Sequence, residues 1–161
     1  MMRGFLSLGS NLGDRVAYLK EALRHLELHS VRIIKASSIY ETTPVEVPCE
    51  QGNYLNMVIE IAFEGEPMDL LFLCNRVEDM LGRKRPYPHA ERTMDIDVLL
   101  IEDLSLDIKE LSIPHPGMEN RAFVIYPLAE IAPDLILPSG RTVIQVKKNL
   151  RNDEIIKIQD L

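Results

Sequence analysis

The segment YLNMVIEIAF, residues 54–63, has the alternation of a β-strand with one apolar face. Successive side chains of a strand point to opposite faces of the sheet. The apolar side chains that share one face are Leu55, Met57, Ile59, Ile61 and Phe63. Tyr54, Asn56 and Glu60 point to the other face. We therefore expect helices to cover the first face, while the polar groups of the second face need an explanation of their own.

The segments before this strand predict a strand, a helix and a second strand. GFLSLGS, residues 4–10, has the pattern of a short strand. The helical period follows in residues 11–29, with an apolar stripe made of Val16, Leu19, Leu23 and Leu26. Asn11 or Asp14 can cap this helix at its start. VRIIKASSIYE, residues 31–41, is the next β-rich run.

The segments after the strand complete the order βαββαβ. EPMDLLFLCNRVEDML, residues 66–81, returns to the helical period, and its inward side chains are Leu70, Leu73, Cys74, Val77 and Leu81. TMDIDVLLI, residues 93–101, closes the set as a strand. This order predicts an α+β, ferredoxin-like antiparallel sheet with helices on one face and an active-site groove on the other. Residues 113–133 are predicted to form a turn and a short helix, in a C-terminal extension that covers part of the groove face.

Length and composition restrict the class of protein. The 161 residues suit a single domain over 1–161, and 46% hydrophobic with 27% charged residues is an ordinary soluble balance. We expect a cytoplasmic protein, because the first residues do not have the pattern of a signal peptide and no apolar run approaches the ~20 residues of a membrane span. We also expect a monomer. The net charge of −7 argues against nucleic acid as a partner. Cys49 and Cys74 have no metal-ligand spacing and are interpreted as reduced thiols.

Two acids interrupt the last predicted strand. In ERTMDIDVLL, residues 91–100, Asp95 and Asp97 share one strand face, about 6 to 7 Å apart at Cα. Carboxylates this close repel each other unless a cation lies between them, and a hard divalent ion with oxygen ligands fits that need. The alternative is a solvated edge strand whose charges prevent aggregation.

Cations cluster directly before the acid strand. GRKRPYPHAER, residues 82–92, carries Arg83, Lys84, Arg85 and Arg92. Basic residues beside an acid pair, in a protein that is acidic overall, indicate a site for a small polyanion with bound metal. The motif G-x-x-x-x-G-K-[ST] does not occur in the sequence, so an ordinary P-loop is excluded.

Five motifs in this order resemble one enzyme family. They are LGSNLGDR, SSIYETTPV, YLN, RTMDIDVLL and PHPGMENRAFVIYPLAEIAP. Together they are similar to the 6-hydroxymethyl-7,8-dihydropterin pyrophosphokinases of folate biosynthesis, over almost the whole chain. The resemblance implies a transfer of diphosphate from ATP to the pterin alcohol, with AMP as the other product. ATP is then a co-substrate, and two Mg²⁺ ions are implied as cofactors.

The resemblance also assigns roles to individual residues. It implies that Asp95 and Asp97 bind both Mg²⁺ ions and that Arg83 and Arg92 clamp the phosphates, which makes these four the catalytic set. The positions that match nucleotide-binding residues of the family are Asn75, Glu78, Arg85, Val98, Ser112 and His115. The positions that match pterin-binding residues are Thr42, Val45, Tyr54, Asn56, Arg121 and Phe123.

Departures from the family pattern put affinities in question more than the reaction type. Asn75 stands where the family usually has Gln, and its shorter reach affects a predicted nucleotide contact. The other departures are Glu46, His89, Ala90, Glu91 and Glu110. Two rival interpretations remain at this stage. One is a different two-metal phosphate enzyme on a ferredoxin-like scaffold, and the other is a non-enzymatic ligand-binding domain, which is common for this fold.

Overall fold

The computed structural model of the chain describes residues 1–42, 53–82, 93–150 and 155–160. Its main strands are β1 (Met2–Ser10), β2 (Val31–Ala36), β3 (Ile39–Thr42), β4 (Tyr54–Phe63), β5 (Asp95–Ile101) and β8 (Ile155–Gln159), with a short pair formed by β6 (Leu106–Asp107) and β7 (Ser112–Ile113). Its helices are α1 (Arg15–Leu28), α2 (Pro67–Met80), α3 (Ala122–Ile131) and α4 (Val143–Lys148), with a 3₁₀ turn at Met118–Asn120. None of the described helices is long and apolar enough to span a membrane.

The main sheet has the strand order β5-β1-β4-β3-β8, and β2 also pairs with β4. The pairings within it are antiparallel. The predicted βαββαβ order and ferredoxin-like fold are therefore confirmed. β8 was not predicted as a strand, although it extends the sheet beyond β3.

One predicted strand is two strands in the structure. Residues 31–41 divide into β2 and β3, which both pair with β4. Between them, Val58 N–H donates to Ser37 Oγ at 2.9 Å, while Ser37 N–H donates to Val58 O at 2.9 Å. The prediction of one continuous strand was wrong because a serine hydroxyl takes over one position of the backbone ladder and interrupts the regular pairing.

The larger hydrophobic core lies between the sheet and helices α1 and α2. It contains the five apolar side chains predicted to face inward from β4 and the five predicted from α2. In α1 the buried residues are Leu19, Ala22 and Leu26, while Val16 and Leu23 flank this stripe and are partly buried. Asp14 Oδ1 accepts the Ala17 N–H at 3.2 Å, so Asp14 is the cap of the first helix.

A second core covers part of the opposite sheet face. Phe5, Val58 and Leu99 pack there against residues of α3 and α4. Glu130 of α3 also accepts hydrogen bonds from Ser38 and from the Tyr40 hydroxyl, the latter at 2.8 Å. The C-terminal extension therefore covers part of this face as predicted, and the contacts of Glu130 with Ser38 and Tyr40 hold the last turn of α3 above the sheet.

Candidate active site

The register of the sheet brings polar positions of distant segments into one row. Gly9 of β1 is opposite Asp95 on one side and Asn56 on the other, and Asn56 is opposite Tyr40. Neighbouring strands lie about 4.8 Å apart, so Asp95 and Asn56 are roughly 10 Å apart across Gly9. The predicted acid site and the predicted ring-binding residues therefore lie on one patch of the same sheet face.

The acid pair faces this patch. Asp95 and Asp97 are half-buried, while Met94, Ile96 and Val98 are buried in the larger core. Ser7, the partner of Asp97 in the ladder, has a small side chain and is buried. The described residues contain no group of three or more His, Cys, Asp or Glu with metal-site geometry. Mg²⁺ is commonly bound by one or two carboxylates together with water and substrate phosphates, so the pair fits this ion.

Glu78 supports the strand that carries the acids. Its side chain is 2% exposed, and Glu78 Oε2 accepts the Ile96 N–H at 2.8 Å. β5 is the end strand of the sheet, so this N–H lies on its outer edge and needs a partner. Thr93 Oγ1 also donates to Leu81 O at 2.7 Å. Glu78, a predicted nucleotide-binding position, is thus buried on α2 together with Cys74 and Val77, where its carboxylate satisfies a strand edge inside the protein.

The same surroundings keep Cys74 unreactive. Burial, followed by the negative charges of Glu78 and Asp97, raises the pKa of the Cys74 thiol to about 12. The thiol is therefore protonated at neutral pH. This agrees with the interpretation of Cys74 as a reduced thiol without a chemical role.

The slot is the part of the sheet beside the acids that is bordered by Gly9, Thr42, Tyr54 and Asn56. A Cβ atom at Gly9 would lie 2.8 Å from Asn56 Oδ1 and 3.4 Å from Tyr54 Cδ1. Asn56 is 4% exposed, and its Nδ2 donates to Thr42 Oγ1 at 2.7 Å. Sequence reasoning missed Gly9, which it placed in the first predicted strand without a role of its own. The available signal was a glycine within a strand, which often marks a close approach of another group.

The turn after β7 supplies the far side of the patch. His115 N–H donates to Leu99 O at 2.7 Å, which attaches the turn to β5. Gly117 N–H donates to His115 Nδ1 at 3.2 Å, so the neutral ring carries its proton on Nε2. Burial lowers the pKa of His115, Arg121 lowers it further, and Asp95 opposes the shift. The Arg121 guanidinium carbon lies 5.6 Å from the centre of the Phe123 ring.

The remaining predicted site residues lie on α2, β5 and β7 or outside the described part of the chain. Asn75 is half-buried on α2. The Val98 side chain faces the larger core, so only its backbone is available to a ligand on the open face. Ser112 Oγ donates to Asp107 Oδ1 at 3.0 Å. Four predicted residues lie outside the described part of the chain, namely Val45, Arg83, Arg85 and Arg92.

His115 is expected to be the neutral Nε2–H tautomer at pH 7, with its pKa below the ordinary histidine range. Because protonation is disfavoured in the folded state only, the free energy of unfolding should decrease as the pH falls below about 6.5. His115→Gln should remove this part of the acid sensitivity. Nitrogen NMR of the histidine rings tests the tautomer, and pH-dependent urea unfolding of both proteins tests the linkage.

His29 provides an internal reference for that measurement. Its Nδ1 lies 2.8 Å from His25 O, and a carbonyl can only accept, so the neutral His29 ring carries its proton on Nδ1. The two rings should show opposite tautomers in one spectrum. An Nδ1–H tautomer at His115, or a pKa at or above the ordinary value, would contradict the described geometry.

Comparisons with known proteins agree with this fold. The fold and the site together define a ferredoxin-like α+β protein whose acid pair and polar patch lie on the sheet face opposite α1 and α2. Residues 5–133 match the family 7,8-dihydro-6-hydroxymethylpterin-pyrophosphokinase, HPPK. The chain belongs to this family.

Similar proteins support the assignment from sequence and from structure. The 2-amino-4-hydroxy-6-hydroxymethyldihydropteridine pyrophosphokinase of Bacillus subtilis is 44% identical over 128 residues, which are 79% of this chain and 76% of that protein. The Haemophilus influenzae enzyme of the same name is 37% identical over 159 residues, 98% of this chain and 99% of its own length. A solved HPPK-DHPS in complex with substrates covers 92% of this chain with a TM-score of 0.73 at 13% identity, which shows the fold. This chain spans 43% of that fused protein.

Proposed function

We propose that the protein transfers diphosphate from ATP to 6-hydroxymethyl-7,8-dihydropterin in a Mg²⁺-dependent reaction that also yields AMP. The observation that carries the proposal is the row of Asp95, Gly9 and Asn56 across three strands, in a chain of the pyrophosphokinase family. A carboxylate pair beside an amide-lined slot suits a reaction between a nucleotide phosphate and a flat polar ring.

Asp95 and Asp97 are the residues that would hold Mg²⁺. When bound, the ion neutralises the negative charge of the phosphates that react. The family resemblance supports two such ions. Glu78 keeps β5 in place beneath the acids through its bond to the Ile96 N–H. Arg83, Arg85 and Arg92 remain predicted phosphate ligands on the strength of the resemblance.

The slot between Gly9 and Thr42 suits the pterin. Asn56 offers a carbonyl oxygen and an amide nitrogen, which match the alternating donors and acceptors of a pterin edge. Tyr54 and Phe123 are half-exposed aromatic rings on β4 and at the start of α3, and aromatic faces bind flat heteroaromatic rings. Val45 remains a predicted contact from the resemblance.

The proposed reaction depends on how the pterin and ATP are positioned relative to each other. The hydroxymethyl oxygen of the pterin forms a bond to the β-phosphorus of ATP, and the bond from that phosphorus to the oxygen of the α-phosphate breaks. Such transfers depend mainly on alignment and on stabilising spread negative charge. The neutral His115 ring presents Nε2–H as a donor, and Arg121 adds a positive charge at the same end of the patch.

The nucleotide product distinguishes this proposal from its rivals. We expect incubation with MgATP and hydroxymethyl dihydropterin to yield AMP, and only when the pterin is present. Formation of ADP, or hydrolysis that does not depend on the pterin, would favour another phosphate enzyme. Pterin binding without turnover would favour a ligand-binding domain.

A further inference from the structure

Arg15 connects the end of strand β3 to the start of strand β4, which border the slot. It is the first residue of α1 and the last of the LGSNLGDR motif. Its Nη1 donates to Glu41 Oε2 at 3.0 Å and to Asn53 O at 2.8 Å. Glu41 lies near the end of β3, and Asn53 directly precedes β4. One guanidinium nitrogen therefore connects the residues on both sides of segment 43–52.

We propose that Arg15 is a positioning residue for the pterin slot, which it maintains by holding the ends of β3 and β4 at a fixed separation. This inference rests on the proposed function for the identity of the ligand. Arg15 acts through its neighbours in the ladder and is not placed in contact with the substrate.

The route from Arg15 to the slot is short. Glu41 is adjacent to Thr42, and Asn53 is adjacent to Tyr54, while Thr42 and Tyr54 form the last pair of the β3–β4 ladder. The end of a ladder frays more readily than its middle. A contact to both strands from a third element opposes this fraying.

Separation of the strands would change the orientation of the Asn56 amide, which is proposed to bind the pterin ring. Thr42 Oγ1 accepts from Asn56 Nδ2 at 2.7 Å, and this bond orients the Asn56 amide above Gly9. If the end of β3 moves away, Asn56 loses that partner and the positions of its oxygen and nitrogen are no longer set. The pterin would then meet an amide with several orientations, and its binding would be weakened.

A second ion pair on the same helix shows why the Arg15 contacts are different. Arg24 pairs with Glu21 at 2.9 Å within one exposed surface, where the two side chains are 57% and 46% exposed. The Arg15 and Glu41 side chains are 32% and 31% exposed, and they connect α1 to β3. Exposed pairs contribute little to stability, so Arg24 is a control for loss of charge alone.

The test compares Arg15→Met with the matched control Arg24→Met. We expect Arg15→Met to raise the KM for pterin about fivefold, the scale of a lost hydrogen-bonded contact, with kcat and the KM for ATP within about twofold. Arg24→Met should leave all three constants unchanged. Arg15→Lys should retain most of the pterin affinity, because a single nitrogen makes both contacts and an ammonium group has enough donors.

A spectroscopic measurement separates positioning from a general structural effect and does not depend on turnover. The side-chain amide resonances of Asn56 should shift in ligand-free Arg15→Met and stay unchanged in Arg24→Met, while the two variants melt at similar temperatures. Unchanged Asn56 resonances, equal pterin KM values in the two variants, or a parallel loss of kcat, ATP affinity and stability would each overturn the inference. A parent protein without pterin-dependent AMP formation would instead contradict the proposed function, and the Asn56 measurement would still test the role of Arg15.

Discussion

Replacing Asp95 and Asp97 together by Asn is expected to reduce turnover by at least about 10²- to 10³-fold, the scale for loss of a positioned electrostatic group. Asn has nearly the same shape as Asp, so the substitution removes charge without removing volume. The variant loses the groups that would hold Mg²⁺ and offset the triphosphate. Its folding should not suffer in magnesium-free buffer, because two neighbouring like charges no longer repel each other. We expect an unchanged or slightly higher melting temperature.

Turnover and thermal melting, measured on the same samples, check this prediction. The matched control is the double variant Glu102→Gln, Asp103→Asn, which removes the same charge from two exposed acids directly after β5. Asn is suitable at Asp103, whose φ is 59°, because it tolerates the left-handed conformation. The control should keep near-parental turnover. MgATP should raise the melting temperature of the parent and the control, but not that of the acid-pair variant.

Two results would support the solvated-edge alternative instead. The first is near-parental activity of the acid-pair variant. The second is increased aggregation with turnover intact, since charged residues on end strands protect against edge pairing. Clear destabilisation without metal would also contradict a site whose acids repel each other in the absence of a cation.

Gly9→Ala is expected to cause the second largest effect, a rise of roughly tenfold or more in the KM for pterin. The added Cβ would lie 2.8 Å from Asn56 Oδ1, so the amide must move. Because Asn56 is buried and bonded to Thr42, that movement breaks the 2.7 Å hydrogen bond and enters the slot. Side chains yield more easily than backbone, so we expect only a small loss of stability. Steady-state kinetics with each substrate varied, together with thermal melting, measure both effects.

Gly4→Ala on the same strand is a control with the opposite expected pattern. A Cβ at Gly4 would lie 2.6 Å from Leu100 O, a backbone atom that cannot move without disturbing the β1–β5 pairing. This variant should lose stability and should keep its pterin KM while folded. If Gly9→Ala bound pterin like the parent, or if the two glycine variants behaved alike, the slot would not depend on the close approach at Gly9.

The sequence by itself determined the βαββαβ order of residues 4–101 and the inward faces of β4 and α2. Periods of two and 3.6 residues are local, so the inward sets of β4 and α2 and the shared face of Asp95 and Asp97 follow from nearby residues alone. The family motifs added the reaction, and they predicted roles for individual residues. The division at Ser37 was missed, because a side chain that takes a place in the backbone ladder leaves the apolar pattern nearly unchanged.

Only the tertiary structure decided which of these faces meet. The alternation of one strand does not specify its partner or its register, so the row of Asp95, Gly9 and Asn56 is a property of the assembled sheet. The burial of Glu78 depends on β5 being an end strand with an outward N–H to satisfy. The contacts of Arg15 join residues 26 and 38 positions apart. Local periodicity contains no information at such separations, because these contacts form only when packing brings distant segments together.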